Sequence, residues 1–308
     1  MFQLIQNERM KIWAKKGSWI MLALLVLAIV GYGILSNSIS SDSSNWKADE
    51  QSTIAANKEM LDEEGIDETT KKDLEETIAI SQYRLDNNVA PLSSESVQGH
   101  MQAAPYFMMF VLLFVVIVAG GIVSSEFSKG TIKMLLTRPV SRFKILLSKL
   151  LAVVEFAVLL SIVTIVLNYI VALLFFGNAT GANLIMDNGQ VTEVNIWKSI
   201  FMSFGFQFIA IIMSMLFAFM LGVVFRSSSL AIGLTIFISL LSTTITLFLT
   251  KYEFIKFIWF AVQDLEGIYH GQGILDVSFP FAIMIQIIYA IIFLVIAFIT
   301  FMKSDITA

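Results

Sequence analysis

Six long apolar stretches alternate with polar segments along the chain, at 18–35, 105–123, 146–176, 196–225, 230–249 and 279–302. Most have the roughly 20 residues a helix needs to cross a bilayer core, where every backbone N–H and C=O must be satisfied within the segment. The pattern predicts an all-α integral membrane protein with six transmembrane helices. The third and fourth stretches exceed the minimum, which predicts either tilt or projection beyond the membrane. Ahead of the first, residues 1–17 mix apolar and basic positions, and Phe2, Ile5, Ile12 and Trp13 can share a broad helical face. That spacing predicts an interfacial amphipathic helix, anchored by Trp13 and Trp19, with a positive flank that only sets topology as the plainer reading.

The polar segments carry their own periodicity. Residues 36–104 hold fourteen acidic and five basic side chains, too many for a bilayer. Leu74, Ile78, Ser81 and Leu85 fall at helical spacing after possible caps at Asp67 and Thr70, while Trp46, Ile54 and Leu61 form a weaker stripe before Gly65. This predicts an acidic extracellular helical hairpin hinged at Gly65, packed on the spans or on a partner chain because its apolar surface is too small to stand alone. It serves either as a lid that meets cationic substrate or as a solvated spacer. At 251–278, the apolar run 254–262 would reach only about 14 Å as a helix, too short to cross. The glycine-rich stretch 264–273 can break it into two half-helices, which predicts an extracellular re-entrant segment before the last span. An interfacial loop anchored by Trp259 is the alternative.

Charge fixes the expected orientation. With the N-terminus inside, 12 of the 20 lysines and arginines become cytoplasmic, within 1–17 and 124–149 and at Arg226 and Lys303. By the positive-inside rule both termini are cytoplasmic. Composition agrees with a membrane protein: 57% hydrophobic and 14% charged residues, and a mean hydropathy of +0.80. There is no cysteine, which excludes disulfides and thiolate metal sites, and both histidines, His100 and His270, fall in external segments. No nucleophile with its base and no ligand cluster lies in the spans, against an intramembrane hydrolase or metalloenzyme. Nearly uncharged spans also speak against a channel or secondary transporter, and nothing suggests nucleic-acid binding. Of the polar residues in the spans, Glu155 is a possible intramembrane polar site, pairing with Arg226 or Lys149, lining a cavity or snorkelling. Asn168, Gln207 and Gln286 read as helix–helix hydrogen bonds.

Residues 124–145 are longer than a simple reversal requires. They carry Glu126, a Gly130-Thr131 break, an amphipathic run at 132–136 and then Arg138-Pro139-Val140-Ser141-Arg142. Pro139 turns Arg138 away from helix and can start the next one. This predicts a short helix across the inner face, presented to a soluble protein or resting on the membrane surface. The pattern E-x-x-x-G-T-x-x-x-L-L-x-x-P-V-S-R, here Glu126, Gly130, Thr131, Leu135, Leu136, Pro139, Val140, Ser141 and Arg142, resembles the loop of permease subunits of type-two ABC transporters.

That resemblance implies six spans with an N-terminal interfacial helix, a cytoplasmic coupling helix at 124–145 and re-entrant helices before the last span. It also implies partners: two cytoplasmic ATP-binding subunits, a second permease that is identical or related, and membrane lipid. Glu126, Gly130 and Thr131 would shape the entry to the coupling helix, with Arg138, Pro139 and Arg142 fixing its far end and pairing with acidic groups. ATP and magnesium would sit on the partner subunit, since this chain has no G-x-x-x-x-G-K-[ST] phosphate loop and is expected not to be an enzyme itself. The expected setting is a bacterial plasma membrane, and the cargo an exported amphipathic or hydrophobic peptide, antibiotic or lipid. The large insertion at 36–104 departs from the simplest family pattern. A sensor or receptor with an acidic extracellular domain, or a non-ABC secondary transporter, is the alternative.

Overall fold

Helices form where the apolar blocks are. A computed structural model describes residues 1–39, 45–63, 66, 68–93, 96–128, 130, 140–177, 181–187 and 189–303. Six of its helical stretches are long and apolar enough to cross a membrane, Lys16–Ser38, Val97–Ser128, Arg142–Phe175, Ile196–Phe225, Ser228–Leu249 and Phe279–Lys303. The chain is a multi-pass, predominantly helical membrane protein. In order, α1 is Phe2–Trp13, α2 Lys16–Ile39, α3 Trp46–Leu61, α4 Glu68–Asn87, α5 Val97–Ala103, α6 Met108–Ser128 and α7 Arg142–Phe175. Strands β1 Leu184–Asp187 and β2 Gln190–Glu193 follow, then α8 Ile196–Phe225, α9 Ser228–Leu249, α10 Leu265–Tyr269 and α11 Phe279–Lys303. The small antiparallel sheet, with Leu184 opposite Glu193 and Asp187 opposite Gln190, departs from the all-α expectation.

One compact unit comprises Met1–Leu27, Tyr106–Thr164 and Phe204–Ala308. Its centre is a seam of small residues that brings backbones close. A Cβ on Gly222 of α8 would lie 2.7 Å from the Gly120 carbonyl oxygen of α6, and one on Gly120 would lie 2.9 Å from the Ile232 side chain of α9. In lipid, where apolar burial does not itself drive helices together, such close packing is what holds them. Ser124 extends the seam, donating to the Gly120 carbonyl at 2.5 Å and meeting the Ser228 hydroxyl at 2.6 Å. α6 runs through Ser128, so residues 124–128 are helix and not loop. α7 likewise starts at Arg142, ahead of the expected 146.

Between α9 and α11 the chain makes a 3-10 turn at Glu253–Phe257 and then the five-residue α10. The short helix lies inside 264–273, the stretch expected to be the break, because Asp264 caps it by accepting from the Gly267 N–H at 3.0 Å. Val262, Leu265 and Ile268 are buried together with Ala282 and Ile285 of α11. Gln286, expected to join two helices, instead donates to the loop carbonyls of Trp259 and Val262 at 2.9 and 3.0 Å.

The second unit comprises Ala28–Pro105 and Ile165–Ser203. α3 and α4 form the acidic helical pair, and Gly65, expected as its hinge, lies outside the described residues. Arg84 of α4 is 8% exposed, donates to the carbonyls of Ala90 and Ala182 and faces Glu50 of α3 at 3.5 Å. Burial, only partly offset by the Glu50 charge, lowers its pKa below the ordinary value. One side chain thus ties the pair to the segment leading into β1. His100 stacks on Phe176, with ring centres 4.8 Å apart.

Candidate functional site

α1 is amphipathic around a carboxylate. Its buried residues are Glu8 and Ile12, one turn apart, whereas Phe2, expected on the apolar face, is 76% exposed. A lone buried carboxylate would be costly, and here it is paired. Lys149, two turns into α7, is fully buried, and its Nζ lies 2.8 Å from Glu8 Oε2 and 2.7 Å from Glu126 Oε1. Lys11 closes the group, with Nζ 2.7 Å from Glu8 Oε1 and 3.1 Å from the same Glu126 oxygen. Two ammonium groups and two carboxylates make a neutral network linking α1, the last turn of α6 and the first turns of α7.

Its electrostatics are self-consistent. Burial alone would raise the Glu8 pKa, but the Lys149 charge and the hydrogen bonds from Lys11 and Lys149 outweigh it and hold the carboxyl below its usual value. Burial likewise opposes the charged form of Lys11, and hydrogen bonding and attraction from Glu8, with Glu126 adding to them, raise its pKa above the ordinary one.

Other contacts fasten the same end of the unit. The Arg142 guanidinium, on the first residue of α7, donates to the Met302 carbonyl in the last turn of α11 at 3.0 Å, where the helix dipole favours a cation. Arg226 lies 4.7 Å over the Phe127 ring. Glu155 pairs at 3.0 Å with Arg9, neither with Arg226 nor with Lys149 as its position had suggested, and both partners are more than a third exposed. Lys149 is committed to the buried carboxylates, which leaves Glu155 the arginine next to Glu8 on α1.

Of the residues expected to couple this chain to a partner, Glu126, Gly130 and Arg142 are described. Glu126 is a buried network member, Arg142 reaches α11, and Gly130 adopts φ +69°, the left-handed region that glycine favours, just past the end of α6. Thr131, Arg138, Pro139 and the run 132–136 lie outside the described residues. Neither Glu8 nor Lys149 was expected as a site residue: Glu8 counted only as a charge on the inner side, and Lys149 as a topology charge and a possible partner of Glu155. Two signals were there to find them: Glu8 lies between Ile5 and Ile12 on one face of α1, and Lys149 lies among Leu146, Leu150 and Val153.

A cavity of about 290 Å³ opens elsewhere in this unit, between α6, α8, α9 and the segment around α10.

A helical membrane bundle with one end closed by a buried charge network defines a multi-pass membrane protein whose N-terminal helix is tied to its interior helices. The chain belongs to the family described as "Protein of unknown function (DUF2705)", whose model matches residues 78–307. It is 37% identical over 314 residues to the uncharacterized protein YhcI of Bacillus subtilis (strain 168), covering 99% of both chains. It is 29% identical over 218 residues to the uncharacterized membrane protein YdbK of the same organism, covering 70% of this chain and 85% of that one.

Proposed function

We propose that this chain is the membrane-spanning permease subunit of an ATP-driven ABC transporter in a bacterial plasma membrane. Both termini face the cytoplasm, and the connection between α6 and α7 is the coupling segment gripped by a separate ATP-binding subunit. The observation that supports this reading best is the Glu8–Lys149–Glu126 network. It joins α1 to both helices flanking that connection, so a push on the connection is delivered to α1, α6 and α7 together. Force generated outside the membrane needs such a rigid joint, and a neutral, buried, multiply bonded charge group supplies one. Glu126 and Gly130 shape the start of the connection and Arg142 anchors its end, while Arg138 and Pro139 lie between them in sequence.

The orientation follows from the concentration of lysine and arginine at this end. The segment around α10 re-enters the outer leaflet. At membrane depth an irregular backbone is tolerated only where protein satisfies it, and Gln286, about two turns into α11, satisfies two of its carbonyls. The cargo is an exported amphipathic or hydrophobic molecule, and ATP with magnesium is bound by the partner. A second permease, identical or related, completes the transporter.

The test is co-expression with ABC-type ATP-binding subunits from the source organism and purification through a tag on this chain. A subunit should co-elute and its ATP turnover should respond to this chain. Arg138→Glu with Arg142→Glu should abolish that response while insertion into the membrane persists, and wild-type turnover in the double variant would refute the coupling role.

A further inference from the structure

The polar lining of the cavity between α6, α8, α9 and the segment around α10 is rich in acceptors, although its Gln207 amide and Thr243 hydroxyl can also donate. Ser239, Ser242 and Thr246 lie along one face of α9, and two of their hydroxyl protons are committed to their own helix: Ser242 donates to the Ser239 carbonyl at 3.1 Å and Thr246 to the Ser242 carbonyl at 2.7 Å. Their lone pairs remain to accept. Gln263 donates through Nε2 to the Ala210 carbonyl and the Ser214 hydroxyl, 3.4 Å each, and the carbonyl, which can only accept, fixes which way the amide points. Its Oε1 is then a buried acceptor with no partner among the described residues. Asp264 and Glu266 bring two carboxylates to the lining, which has no lysine, arginine or histidine among the described residues. Met108, Leu112 and Phe206 add apolar side chains to the same lining.

A lining that combines carboxylates and other acceptors with apolar side chains suits an amphipathic cation. We propose that this cavity binds the ammonium head and adjoining apolar segment of such a molecule, the head at Asp264, Glu266 and Gln263 and the chain against Met108, Leu112 and Phe206. Its volume is near the lower end for small-molecule pockets, enough for a head group and the start of a tail. The inference names a ligand class for this chain and stands without the transporter reading, because binding here requires no ATP-binding subunit.

The test uses the full chain in phosphatidylcholine nanodiscs and a photoreactive dodecylamine, with dodecanoate and dodecanol carrying the same photoreactive group as controls. Labelled peptides are mapped by mass spectrometry. The amine should label residues around 108–112, 206–210 or 260–266 at least fivefold more than either control. Asp264→Asn with Glu266→Gln, which keeps an acceptor for the cap of α10, should cut that labelling at least fivefold. Competition by a cationic amphipathic peptide assigns the head to a peptide and competition by an aminolipid assigns it to lipid; either upholds the proposal. Equal labelling by amine and dodecanoate on the wild-type chain overturns it, whether or not the double variant folds, and so does labelling confined to other helices. Because no ATPase is present, failure here leaves the coupling experiment unaffected, and the reverse holds.

Discussion

Lys149 is the side chain on which the closed end of the first unit depends. With its ammonium removed, Glu8 and Glu126 share only the partly exposed Lys11 and one buried negative charge is left uncompensated; breaking a buried ion pair on one side costs about 3–5 kcal/mol. Lys149→Met should therefore lower the thermal midpoint of the purified protein strongly. The quadruple variant Glu8→Gln, Lys11→Met, Glu126→Gln, Lys149→Met, which removes all four charges of the network, should recover most of the loss; a single variant as stable as wild type would contradict the pairing. Acidity offers a second check. The Glu8 pKa is lowered on folding, so its contribution is fully present above the ordinary value of 4.5 and is lost as pH falls through the folded value beneath it. Lys11 is raised, so its contribution holds below 10.5 and is lost above it. The groups facing Glu8 are Lys11 on its own helix, Glu126 from α6 and Lys149 from α7. Hydrogen exchange in α1 should be steadily protected, after correction for intrinsic rates, from pH 5 to 9 and should rise only under stronger acid; a transition near pH 7 would contradict this assignment. Glu126 stood out in the sequence through its motif, but its partners did not, since Glu8 and Lys149 are 141 positions apart and no local pattern encodes which buried charges meet.

Helix packing explains why the apolar blocks gave the helices more readily than their ends. Hydropathy reports where a backbone must satisfy itself, whereas ends depend on caps and partners. α6 extends to Ser128 because Ser124 and Glu126 find partners within the bundle. α10 formed where a break was expected because one aspartate caps it. The β1–β2 hairpin was also written in the sequence, as Asn188-Gly189 between short extended runs, a recognised hairpin signal that a search for membrane helices passes over. The Gly120–Gly222 seam yields a direct prediction. Gly222→Val would press a branched side chain onto the Gly120 backbone, with no flexible group able to yield, and should sharply reduce the folded yield. Gly121→Val, at a position with nothing within 4 Å, should be tolerated. Equal effects on the detergent-extracted monodisperse fraction would place the helix contact elsewhere.

In the assembled molecule the number and order of membrane helices were legible, because they rest on composition over windows of 20 residues. Which side each loop faces rests on charge distribution alone. The absence of cysteine makes that testable by single-cysteine labelling of intact cells. A cysteine at Gly189 should react with an impermeant maleimide, and one at Gly130 only after permeabilisation; the opposite result would invert the orientation. The permease role itself is tested most directly by ATP turnover in proteoliposomes holding this chain and its co-purified ATP-binding subunit. Turnover is predicted to change severalfold when wild-type chain is present and to return to that of the free subunit when Arg138 and Arg142 are both replaced by glutamate. Turnover indifferent to the presence of the chain would contradict the proposed function.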